Sequence, residues 1–301
     1  MRWTPMSIGH SLNKDSAPRD EGAELGEQDR DRLMTGVHMA LASLINRLDS
    51  HRLARSDVIH WGCPIPAFGD LSEARVASLG LNPSSREFVD ESGNELDGPD
   101  RRFHTLNSLG LRTWSDVDAR HLNLILEACC SYFQWNPYNA WFKKLDIVVS
   151  GANASFYDPS TKACHLDLIP YATMRKWTEM SANQRSSLLS ASGDTLGLLL
   201  RDSPVRTLIL NGSSVVQLFQ TMAGVRLEYK EMPAWSLPRQ SREVAGIAYW
   251  GVIDALLDMH LDHEILVLGF NHNLQSSFGV TKEVVNAIGS WVAQVSGERT
   301  P

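Results

Sequence analysis

The chain is poor in cysteine, and the few it has are wrongly spaced for a metal cluster. Cys63, Cys129, Cys130 and Cys164 are the whole set in 301 residues. No Cys-x-x-Cys pair occurs, which argues against a zinc ribbon. Cys129 and Cys130 are adjacent in an apolar helical run, so they point to different sides, and four thiolates do not converge on an iron–sulfur centre. Buried thiols in a reducing compartment are the simpler reading. Neither a metal nor a cofactor is expected. Long hydrophobic runs are also missing: no stretch approaches the roughly 20 apolar residues that span a bilayer. No charged-then-apolar leader opens the sequence. The expectation is a cytoplasmic protein without membrane contact.

An excess of positive charge is absent too. The formal net charge is −7, which counts against a non-specific nucleic-acid binder. Local basic groups remain at Arg101, Arg102 and His104, at Arg175 with Lys176, and at Arg239 with Arg242. They read equally as scattered solvated charges or as parts of a groove. No Gly-x-Gly-x-x-Gly follows the first strand, which excludes a dinucleotide-binding dehydrogenase. No phosphate-binding Walker loop, Gly-x-Ser-x-Gly elbow or His-Glu-x-x-His helix occurs.

What is present is an ordinary globular composition, 43% hydrophobic and 21% charged, in a length that suits one large α/β domain or two small ones. Residues 1–28 are polar and acidic and are expected to be disordered. A single domain with an N-terminal helical extension is expected over 29–301. Leu33, Val37, Leu41, Leu44, Ile45 and Leu48 recur at helical spacing within 30–54. Helices are also predicted over 119–133, 182–201, 214–222 and 280–295, with a short one beginning within 254–260. Apolar strands are predicted at 75–81, 164–170, 205–210, 243–250 and 265–269. Residues 89–105 read as a long polar loop. Short apolar strands alternating with helices imply a three-layer sandwich whose central, mostly parallel sheet is covered by helices on both faces. In such sheets ligands sit beyond the carboxyl ends of the strands. Four of those ends are polar here: Asn82-Pro83-Ser84, Asp167, Asn211-Gly212-Ser213 and Asn271-His272-Asn273.

Gly80-Leu81-Asn82-Pro83-Ser84 resembles the first motif of the uracil-DNA glycosylase superfamily, which reads Gly-x-Asn-Pro-Gly in its mismatch-specific and single-strand-selective branches. Residues 163–170 are similar to that family's base-reading strand, and 208–213 to its fourth strand and turn. Residues 266–273 take the place of its last motif, usually His-Pro-Ser or Asn-Pro-Ser, although no Pro-Ser follows here. The resemblance covers roughly 75–295 and implies a flipped-out base, water as nucleophile and an abasic site as product.

By that resemblance Asn82 orients the water, and Asn271 or His272 supports the departing base. Phe88 and Phe103 are the candidates for a ring beneath the base, either of which could instead be core. Leu274 is a wedge into the duplex or an ordinary loop leucine. Ser84, Arg101, Arg102, Ser213 and Asn273 are assigned to DNA contact. DNA is the expected partner of a monomer.

One position departs from the family. Where uracil readers carry Asn, this chain has Asp167. A carboxylate only accepts, so it suits the amine of cytosine better than the carbonyl of uracil. If protonated, it could bond both N4–H and N3. The expected substrate is therefore a modified cytosine, and one branch of the superfamily removes glucosylated hydroxymethylcytosine in phage defence. The rivals are a repair glycosylase for uracil or a deaminated base, a non-catalytic module that binds nucleic acid or a modified base, and a hydrolase of free nucleosides or nucleotides.

Overall fold

The computed structural model describes residues 26–48, 53, 56–135, 139–238 and 243–298. Most of the N-terminal segment and the Arg239–Arg242 group fall outside them. In chain order the elements are α1 (Glu27–Leu48), β1 (Val76–Gly80), α2 (Ala119–Cys130), α3 (Tyr132–Trp135), α4 (Asn139–Val149), β2 (Ala163–Asp167), α5 (Ala182–Ser192), α6 (Thr195–Arg201), β3 (Thr207–Asn211), α7 (Ser213–Ala223), β4 (Glu228–Glu231), β5 (Leu237–Pro238), β6 (Glu243–Val244), β7 (Ile247–Leu256), β8 (Met259–Phe270) and α8 (Lys282–Gly297).

The result is an α/β fold on a six-stranded mixed sheet of order β2-β1-β3-β8-β7-β4. The first four strands are parallel and the last two antiparallel. Every residue of β1 and of β2 is buried. Such runs, buried without alternation, form strands covered on both faces. The six periodic residues of α1 are all buried. Asp118 caps α2 by accepting from the His121 amide, and Thr281 caps α8 in the same way through Val284. The free edge of β2 is blunted by Phe68, whose amide and carbonyl both bond His165, so little of that edge is open to pairing with another chain.

Three local expectations are corrected. The helix foreseen within 254–260 is instead the tip of a long β7–β8 hairpin. Leu256 pairs with Met259 around the turn residues Leu257 and Asp258, with Leu257 in the left-handed region at φ 55°. The Ala-Leu-Leu run favours helix locally, but ladder pairing along β7 and β8 and burial of Leu256 and Leu261 override it. The helix foreseen over 182–201 is broken at Gly193, whose φ of 52° combined with a ψ of −127° suits only glycine. Arg47 of α1 reaches into that break and donates to the carbonyls of Ala191 and Ser192. The strand foreseen over 243–250 is divided between β6 and β7, and β4 was not foreseen because all four of its residues are exposed.

The connection from β1 leads to β2 on one side, and the next strand, β3, lies on the other. That makes β1 the switch point of the parallel region, where a ligand crevice is expected. Among the described residues no helix is long and apolar enough to cross a membrane.

Candidate active site

Strand pairing brings the polar ends together two by two. Gly80 of β1 is the partner of Asp167 of β2, and Ser78 of His165. Side chains alternate along a strand, so Ser78, His165 and Asp167 share one face of the sheet, with Gly80 between them. Gly80 is required there. A Cβ would run into Asp167 Oδ1 and stand 2.9 Å from the His165 ring. The Asp167 carboxylate lies 3.5 Å from His165 Nε2, and His165 Nδ1 is 2.6 Å from the Ser78 hydroxyl. All three residues are buried. Phe68, Trp141 and Phe142 surround the His165 ring with centroids 5.3–5.5 Å away. Gly80→Ala should therefore expel the Asp167 carboxylate and cost about 1–3 kcal/mol by overpacking. Chemical denaturation measures this, and an unchanged midpoint would mean that the carboxylate yields freely.

Asn82 stands just beyond the end of β1 and is half-buried. Its Nδ2 donates to the Thr173 hydroxyl and to the Pro83 carbonyl, both at 2.9 Å. The Thr173 hydroxyl in turn donates to the Arg175 carbonyl. The amide is thus fixed through its nitrogen, and no hydrogen bond from the described residues reaches its Oδ1. Ser84 is exposed and caps the short 3-10 turn Ser85–Glu87.

That turn carries a residue that sequence reasoning passed over. Glu87 is 3% exposed. Its Oε2 accepts from the Tyr132 hydroxyl at 3.2 Å and lies 3.9 Å from Arg102 Nη1. Burial pushes its carboxyl up to about 7, against the opposing pull of Arg102 and Tyr132 and with a smaller push from Asp167. The only sequence signal was an acid flanked by the apolar pair Phe88-Val89 just after the Asn-Pro turn.

Phe88 and Phe103 are each 1% exposed. Phe103 stacks on Tyr132 at 5.3 Å, and Phe88 meets the edge of Trp61. In this structure both rings are core. Arg101, Arg102 and His104 line an open cleft of about 1080 Å³ together with Arg86, Tyr132 and Trp135. Burial and then the charge of Arg101 hold the His104 imidazole down at about 4, so it is neutral near pH 7. Trp135 stands 83% exposed at this cleft.

The other two strand ends are engaged in holding the loop after β8. Asn211 Oδ1 accepts from the Leu274 amide and its Nδ2 donates to Gln275. Asn271 spends both ends of its amide on the 245–247 backbone, donating to Ala245 O and accepting from Ile247 N. His272 is 2% exposed, with Nε2 2.7 Å from the Trp235 carbonyl. Neither side chain is presented to a ligand here. Asn273 closes a turn by accepting from the Gln275 and Ser276 amides. Ser213 is exposed on the first turn of α7. Leu274 is 1% exposed and belongs to the core, whereas Phe278 on the same loop is 76% exposed. Leu274→Ala should accordingly cost about 2–5 kcal/mol of stability. A loss near zero in urea unfolding would return Leu274 to the role of a surface wedge.

Among the described residues no group of three or more His, Cys, Asp or Glu side chains converges to hold a metal. Cys63, Cys129 and Cys164 are buried and Cys130 is exposed, all with free thiols. No protein-family model matches the chain, and no curated protein matches it.

Proposed function

We propose that this protein is a monofunctional DNA glycosylase that hydrolyses the N-glycosidic bond of a flipped-out modified pyrimidine and leaves an abasic site. The favoured substrate is a modified cytosine, such as glucosylated hydroxymethylcytosine in phage DNA. One observation carries the reading. Asn82, at the end of the switch-point strand, is clamped through its Nδ2 while no hydrogen bond from the described residues reaches its Oδ1. An amide so held can accept from a water and orient it without acting as a strong base, and positioning of this kind is a large share of what such hydrolysis needs.

Several further features support it. Asp167 lies on the adjacent strand end and can accept from the exocyclic amine of cytosine. The cleft beside Tyr132 has a volume at the upper end of small-ligand sites, although neither Asn82 nor Asp167 is among the residues that line it. Its Arg101 and Arg102 suit phosphate or hydroxyl contacts. Exposed Ser213 opens α7, and a helix N-terminus favours a phosphate. Exposed Phe278, rather than buried Leu274, would be the wedge into a base step.

The test is a panel of duplexes carrying uracil, hydroxymethylcytosine or its glucosylated form, assayed for alkali-labile abasic sites. Abasic product from a modified cytosine is expected. Release of uracil alone would sink the cytosine assignment and leave the repair reading. The structural engagement of Asn271 and His272 favours a second reading, a module that binds modified DNA without cleaving it. Binding without abasic product would establish that alternative.

A further inference from the structure

The buried end of the parallel sheet joins a hydroxyl, an imidazole and a carboxyl in one row. The Ser78 hydroxyl lies 2.6 Å from His165 Nδ1, and His165 Nε2 lies 3.5 Å from Asp167 Oδ1. The three residues are 0%, 2% and 8% exposed. The row imitates a hydrolytic triad, but a hydroxyl with no exposure in the middle of β1 reaches no substrate, so Ser78 is not a nucleophile. The row has a direction instead. A hydroxyl carries one proton, and among the described residues that of Ser78 hydrogen-bonds only His165 Nδ1. A buried donor left without an acceptor is costly, so the hydroxyl donates and Nδ1 accepts. The ring proton then belongs on Nε2, the nitrogen that faces Asp167. Packing holds the ring in this arrangement. Phe68, Trp141 and Phe142 surround it, and Phe68 bonds both the amide and the carbonyl of His165. Gly80 keeps the gap between ring and carboxyl clear, since a Cβ there would meet Asp167 Oδ1 and stand 2.9 Å from Nε2.

We propose that Ser78 and His165 are positioning residues for the base-reading carboxyl: held by the Ser78 hydrogen bond, His165 presents its Nε2–H to Asp167 Oδ1 and leaves Oδ2 to meet the ligand as an acceptor. An N–H and a carboxyl oxygen whose heavy atoms stand 3.5 Å apart are beyond a full hydrogen bond. In a desolvated place their attraction is still strong, so the contact turns the carboxyl without locking it. Oδ1 is the oxygen engaged in this way, and no hydrogen bond from the described residues reaches Oδ2. A carboxylate oxygen only accepts. It selects a base edge that offers a donor, the exocyclic amine of an aminopyrimidine, and disfavours the carbonyl that uracil places there. The preference is thus set by two residues that need not touch the base.

The role in base choice rests on the glycosylase reading, but the direction of the row does not, and the two are tested apart. Long-range proton–nitrogen-15 NMR of the free protein at neutral pH reads the ring directly. The imidazole whose signals are lost in His165→Phe should carry its proton on Nε2, with Nδ1 as a hydrogen-bond acceptor. In Ser78→Ala the Nδ1 resonance should move as its donor is removed. A proton on Nδ1, or on both nitrogens, would overturn the row, and an unmoved Nδ1 resonance would overturn the part given to Ser78. The double variant Ser78→Ala/His165→Phe removes the row, keeps an aromatic ring and leaves no hydroxyl unpaired. Thermal unfolding checks its fold. On duplexes carrying hydroxymethylcytosine or uracil, its preference for the amine-bearing base should fall roughly fivefold or more, in release or in equilibrium binding. Where the double variant fails to fold, Ser78→Ala alone carries the test, with a smaller fall in the same direction. An unchanged preference in a folded variant would remove the row from base choice and leave the tautomer result intact, as would a wild-type protein with no preference in release or binding. A preference in binding without any abasic product would sink the glycosylase reading and keep this one.

Discussion

Asn82→Ala is expected to slow release of the base by about a hundredfold or more while leaving the fold in place. The two halves of this expectation have separate causes. The side chain is half-buried and contributes two hydrogen bonds through Nδ2, each worth about 0.5–1.5 kcal/mol to stability, which a domain of this size withstands. In the proposed mechanism its Oδ1 places the water, and losing a near-attack geometry can cost about a hundredfold. Thr173→Val offers a graded companion. It removes the outer clamp and leaves the bond to Pro83, so the amide gains freedom without being lost, and the rate should fall less than in Asn82→Ala. Single-turnover abasic-site formation measures both, with thermal unfolding run in parallel. Full activity in a folded Asn82→Ala protein would remove Asn82 from the mechanism.

Asp167→Asn should change which base is released rather than whether one is. An amide donates from one side and accepts on the other, which suits O4 and N3–H of uracil. A carboxyl offers cytosine what its N3 and N4 need. A correct paired contact to a base edge is worth about 1–3 kcal/mol, so the ratio of uracil to modified-cytosine release should rise roughly 5- to 150-fold. The substitution is nearly isosteric, and the contact of Asp167 with His165 at 3.5 Å can be kept by the amide oxygen. Paired rates on the two substrates give the ratio directly, and an unchanged ratio would mean that the base is read elsewhere.

The parallel half of the sheet was legible in the sequence because its strands advertise themselves. β1, β2 and β3 are short apolar runs, and each is followed by a breaker or a polar turn, at Pro83, Pro170 and Gly212. β8 was found only in its apolar second half, 265–269. Its first half, with β7 and β4, carries mixed polarity, since one side meets solvent, and the Ala255-Leu256-Leu257 run imitates a helix. The site was legible as strand ends but not as a set of partners. Asn271 and His272 carry the right chemistry in the right place. What occupies them, the backbone of 245–247 and the Trp235 carbonyl, comes from a different part of the chain. The importance of Glu87 depends on Tyr132 and Arg102, which meet it only through the fold. Phe88 and Phe103 illustrate the converse. Aromatic residues after a catalytic turn suit a stacking role by composition, yet burial in a cluster with Phe68 and Tyr132 is what packing makes of them.

The pairing of β1 has a consequence for how the protein comes into being. Val76 finds its two neighbours in Ala163 and Thr207, and β3 must then wait for β8. Contacts between such distant segments give a high contact order, because the entropy of closing the intervening chain is lost before the ladder repays it. The turn that bears Asn82 and the strand that bears Asp167 are therefore aligned by long-range contacts of the kind that form slowly. A nascent chain emerging N-terminus first would carry every residue of the Asn82–Thr173 clamp well before the sheet that aligns it is complete. For a protein proposed to cut bases out of DNA, this order ties the onset of activity to completion of the fold.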